Sequence, residues 1–141
     1  MDATDGAVIR DLAPREVCDV DWAPNGRRLV YLRRTSTGDC DFAAADVFVV
    51  RADGTGDRRL IRMPRPRFVM SWRAQDVAWS PDGRRIAYVR GKAEGDTTRY
   101  SLIITDTRGQ NIKVIYVTER GLVGESLPDY GPTISWQPLG R

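Results

Sequence analysis

The chain has 141 residues, 41% hydrophobic and 29% charged, with a net charge of +3 and no histidine. That length suits one domain or part of one, and the missing histidine removes His-based triads, general bases and metal ligands together. The charge is mild and its acidic residues are interspersed, which points away from nucleic acid; the short apolar runs fall far below the roughly 20 residues of a membrane-spanning helix.

In chain order, residues 4–12 read "TDGAVIRDL", a glycine turn and then a single strand over 7–12. The first unit, 18–63, holds "DWAPNGRRLVYLR" from Asp21 to Arg33. Here Pro24 pre-sets a turn, and Asn25-Gly26 is a pair that tolerates positive φ in a tight hairpin. Two further strand runs follow, "DVFVVRADG" (Asp46 to Gly54) and "RRLIRM" (Arg58 to Met63). The second unit, 76–117, repeats the scheme with "AWSPDGRRIAYVR", "SLIITDTRG" and "IKVIYV", its turn carried by Pro81, Asp82 and Gly83. A third copy begins at "SWQPLGR", giving a strand over 133–136 and then Pro138. Trp22, Trp79 and Trp136 are spaced 57 residues apart. No segment has a helical period. The expected class is therefore all-β, built from four-stranded antiparallel sheets.

Four short strands at fixed period are the pattern of β-propeller blades. "WSPDGRRIAYV" followed by "SLIITDTRGQNIKVIYV" resembles the TolB-type, WD-like β-propeller repeat, and the first unit is similar to it. The resemblance implies two complete blades (18–63 and 76–117), an outer strand (7–12) and an inner strand (133–136). It implies nothing specific about activity, because such repeats serve in binding proteins and in propeller domains that accompany peptidases. The first unit departs from the pattern with Ala-Pro-Asn-Gly, and the third with Gln-Pro-Leu-Gly.

A closed ring needs about four blades or more, and isolated repeats leave apolar faces open. The expected partners are therefore copies of the same chain or the remainder of a longer propeller, with a protein or peptide as a possible ligand, and no nucleic acid or membrane. The leading expectation is a non-catalytic binding or assembly module. The alternatives are the propeller part of a larger hydrolase, or a fragment with no evolved ligand. The compartment is not legible.

The connections after the second and fourth strands are long and emerge at one end of the sheets, where binding residues concentrate on a rigid scaffold. There "RPRFVMSWR" supplies Arg65, Arg67, Phe68, Trp72 and Arg73, and the later connection supplies Tyr130. Arg mixed with aromatics is typical of protein interfaces. The repeated residues Trp22, Pro24, Gly26, Trp79, Pro81, Asp82, Gly83, Trp136 and Pro138 read as structural, with the indoles packed between blades. No cofactor or metal is expected. Asp39, Asp41 and Asp46 match no calcium-loop spacing. Nothing brings Glu94 and Asp96, or Glu125 and Asp129, together in a cleft. Ser80 lies outside any G-x-S-x-G pattern and has no histidine to activate it. Cys18 and Cys40 lack metal spacing; Cys18 reads as a small packed residue, and nothing in the spacing favours a bond between the two.

Overall fold

The computed structural model describes residues 16–35, 40, 44–64, 72–94, 97–121 and 134–136. Eight strands form two four-stranded antiparallel sheets, and no helix occurs among the described residues. The first sheet runs in chain order through β1 (Val17–Trp22), β2 (Arg28–Arg34), β3 (Ala45–Arg51) and β4 (Arg58–Ile61). The second runs through β5 (Trp72–Trp79), β6 (Arg85–Glu94), β7 (Thr97–Asp106) and β8 (Lys113–Gly121).

The repeat extends to individual hydrogen bonds. Ala23 N–H donates to the Arg28 carbonyl at 2.9 Å and Gly26 N–H to the Ala23 carbonyl at 2.8 Å. Ser80 to Arg85 and Gly83 to Ser80 reproduce both bonds at the same lengths. In these two turns only the glycines take positive φ, +66° at Gly26 and +68° at Gly83. Asn25 and Asp82 contribute through their side chains instead: each Oδ1 accepts the amide two residues on, Arg27 and Arg84, at 3.0 Å. These are Asx turns, which close the corner without a left-handed Asx residue. Ser80 adds a hydroxyl bond to Asp82 Oδ1 at 2.6 Å, which holds that carboxyl below the usual range. Ala23 has no such group.

The ends of the strands depart from expectation. The segment 91–99 is not a long connection. β6 and β7 stay paired from Gly91↔Tyr100 to Glu94↔Thr97, leaving two residues between them. Thr97, Thr98 and Tyr100 favour strand, in keeping with the extended pairing. β8 continues alongside through Gly121, and β5 begins at Trp72. The second sheet is therefore longer than the first at the end away from the tight turns.

The core lies between the sheets. Val30, Leu32, Val47 and Val49 of the first sheet meet Val77, Trp79, Ile86, Tyr88 and Ile103 of the second. In β2 the alternate residues Leu29 and Tyr31 point to the other face, where they cluster with Phe48 and Val50. Tyr31 stacks on Phe48 with ring centroids 5.6 Å apart, and the Arg33 guanidinium sits 3.6 Å from the Phe48 centroid. Tyr31 OH donates to Asp57 Oδ1 at 2.6 Å; burial, and then this bond, raises its phenol well above the ordinary range.

Three details tie the ends. Cys18 and Cys40 form a disulfide with Cα atoms 5.4 Å apart, correcting the reading of Cys18 as merely packed. The alternation of β1 carries no mark of this bond, because the partner cysteine lies 22 residues further along the chain. Asp46, fully buried, accepts the Met63 amide at 2.8 Å and lies 3.5 Å from Arg59 Nη1. Its carboxylate is thus occupied by the protein's own groups. Gly109, at φ +78°, packs so closely on β4 that an added Cβ would stand 2.6 Å from the Leu60 carbonyl oxygen. Nearby, Arg58 Nη2 donates to the Thr107 carbonyl at 3.1 Å, joining the two sheets.

Candidate functional site

β1 and β5 are edge strands, and each presents a row of amides to its outer side. An unpaired edge amide must find another acceptor or water. β1 provides acceptors for β5. Asp19 Oδ2 accepts the Val77 amide at 2.9 Å, and Asp21 Oδ2 accepts the Trp79 amide at 2.7 Å. The step is then repeated: Asp76 Oδ2 accepts the Ile134 amide. Donor and acceptor are 58 residues apart in all three bonds. So β1, β5 and the Ile134–Trp136 segment stand side by side, each held to the previous one by aspartate.

These three edges line a groove of about 430 Å³. Its walls carry Asp19, Asp21 and Asp76 together with Trp22, Trp79 and Trp136. Burial first, and then the neighbouring Asp19 carboxyl, pushes the Asp76 carboxyl up to about 7. Two buried indole nitrogens, Nε1 of Trp79 and Nε1 of Trp136, have no hydrogen-bond partner among the described residues. The groove combines carboxylates with indoles, but all three carboxylates are engaged by backbone amides. Their first role is to hold neighbouring edges in register, and no group of acidic or cysteine side chains suited to a metal occurs among the described residues.

The expected residues fall into three groups. Trp79 is 5% exposed and sits in the core between the sheets, and Trp136 is partly buried beside the groove. Trp22, expected to pack similarly, is 47% exposed, because no described sheet stands on its outer side as the first sheet stands beside Trp79. Pro24, Gly26, Pro81, Asp82 and Gly83 build the paired turns, which touch: a Cβ on Gly83 would lie 3.7 Å from Pro24 Cδ. Arg65, Arg67, Phe68, Tyr130 and Pro138 lie outside the described residues, as do Asp39, Asp41, Asp96, Glu125 and Asp129. For Trp72 and Arg73 the backbone belongs to β5 and the side chains lie outside the description.

Sequence reasoning missed the Asp19–Asp76 pair. The signal was present: the two residues are 57 apart, at the same place in the repeat, three before a tryptophan. Comparison with protein-family models, with curated proteins and with solved structures gives no match.

Proposed function

We propose that the chain is a non-catalytic assembly and binding module of propeller type, in which each four-stranded sheet is a blade and further blades come from association with another copy. The observation that carries this reading is the contrast between Trp79 and Trp22. The same position of the repeat is buried where a sheet precedes it and half open where none is described. The TolB-type resemblance, the repeated turn bonds and the aspartate step support the same reading. Apolar surface left open elsewhere points the same way: Ile112, Val114, Ile115, Tyr116 and Val117 of the last strand and its approach are all exposed. Apolar surface grouped like this marks an interaction site or an aggregation hazard.

The carboxylate pair is read as a brace, because both members accept backbone amides across strand boundaries. The end away from the tight turns, with the disulfide-closed β2–β3 connection and the lengthened second sheet, is the surface we assign to a protein or peptide partner. Light scattering after gel filtration, over a concentration series, tests the assembly reading. The expected particle is a discrete multiple of the 15.9 kDa chain. A folded, dispersed monomer at every concentration would overturn it.

A further inference from the structure

The aspartate step defines an interface with a direction. β1 hands acceptors to β5, and β5 hands one to Ile134. In each step the receiving strand offers amides from its outer edge. β1 has the same outer edge. Ala23 N–H pairs with the Arg28 carbonyl, so by two-residue alternation Asp21 is the residue bonded to β2 and the amides of Val20 and Trp22 point away from it. Val20 and Trp22 are the counterparts of Val77 and Trp79, which receive Asp19 and Asp21. Val20 and Trp22 are 52% and 47% exposed. At the other limit of the series, Ser135 occupies the place of Asp21 and Ala78, and it is exposed.

We propose that the outer edge of β1 is the docking site for the Ile134–Trp136 segment of a second copy, so that two chains close head to tail into one ring. This rests on the assembly reading above and adds its polarity and its number. The occupant follows from continuity with an interface already formed twice within the chain: the third step sets the last edge of one copy against the first edge of the other. Each chain supplies three edge positions, β1, β5 and Ile134–Trp136. Two copies supply six such edges and four of the described four-stranded sheets, and known rings have roughly four to eight blades. A contact that joins one patch to a different patch makes a ring when the rotation closes and a filament when it does not. Two copies related by a two-fold axis use the contact twice.

Complementation tests the polarity. Trp22→Arg blocks the receiving edge and Ser135→Arg blocks the donated segment; both side chains are solvent-facing or half so, and circular dichroism with a melting curve verifies that each variant folds. Wild type is expected at twice the chain mass. Each variant alone is expected to be monomeric, with dissociation at least about 30-fold weaker, the loss typical of a central interface tryptophan. An equimolar mixture regains one intact contact and is expected to recover a dimer. Val20→Pro removes an outward amide from an edge strand, where proline is tolerated, and is expected to weaken association likewise. A wild-type monomer would overturn both this inference and the assembly reading. A wild-type oligomer that survives Trp22→Arg and Ser135→Arg, or is lost only with Tyr116→Arg on β8, would overturn the head-to-tail contact and leave the assembly reading standing. A mixture of the two variants that stays monomeric would also overturn the head-to-tail contact.

Discussion

The two sheets carry the same turn, with the same bonds at the same lengths, yet their tryptophans live in different surroundings. Trp79 is walled in by the first sheet; Trp22, at the same point of the same hairpin, faces outward. The local sequence decides that an indole precedes the turn, and the neighbouring sheet decides whether it is buried. The sheets differ in a second way. The first closes the end away from its turns with a disulfide, and the second lengthens its strands there. One problem, an end with few ladder bonds, is solved covalently in one sheet and by added pairing in the other.

The sharpest way to break this comparison is to truncate both indoles. Trp79→Ala is expected to cost about 3–5 kcal/mol, a large cavity in a shared core. Trp22→Ala is expected to stay within about 0.5 kcal/mol in the dissociated chain, as a surface change does. Denaturant titration at low protein concentration reads both, and equal losses would mean that the sheets do not differ as described. Next in size is the disulfide. Its 22-residue separation gives about 3 kcal/mol of stabilisation from chain closure. The paired change Cys18→Ser, Cys40→Ser should lower the denaturation midpoint accordingly, and reducing agent should do the same to wild type while leaving the variant unchanged.

The glycines sharpen the contrast between a turn at the surface and one between sheets. Gly26 has open space around its missing Cβ, whereas Gly109 abuts the Leu60 backbone. Alanine at 26 should cost about 1 kcal/mol for its left-handed φ alone. At 109 the added clash should raise that to about 2–3 kcal/mol. Comparable losses at the two sites would show that β4 yields to the turn.

The smallest effect is a pH dependence. Asp76 holds its proton up to about 7 in the folded chain and releases it near pH 4 when unfolded. Between those values the folded state binds more protons at this group, so its contribution to stability is fullest below about pH 4, falls as pH rises toward 7, and is flat above. Asp76 is only partly buried, so screening limits the change to on the order of 1 kcal/mol. Asp76→Asn should flatten the profile. An unchanged slope in that variant would place the titrating group elsewhere.

Much of this was legible in the amino-acid order. The grouping of strands by four, the two matched corners and the glycine positions follow from Pro24-Asn25-Gly26 and Pro81-Asp82-Gly83 set between alternating runs; of the single strands expected over 7–12 and 133–136, the first lies outside the described residues and Ile134–Trp136 is not a strand. What escaped depends on distance rather than pattern. Cys18 meets Cys40 across 22 residues of chain. The Asp19–Asp76 contact exists only because two edges stand together. Trp22 is open because no described sheet stands on its outer side, which its own hairpin cannot record. The lengthened β6–β7 hairpin was the readable exception, since Thr97, Thr98 and Tyr100 carry strand preferences that the reading passed over.

The central claim is that Trp22 occupies an unfilled copy of the site that buries Trp79. Oxidative labelling of indoles, read residue by residue at low and high protein concentration, tests it directly. Trp22 should label freely in the dilute chain and become protected as chains associate, with Trp79 protected throughout. Equal labelling of Trp22 in dissociated and associated chains would contradict the claim.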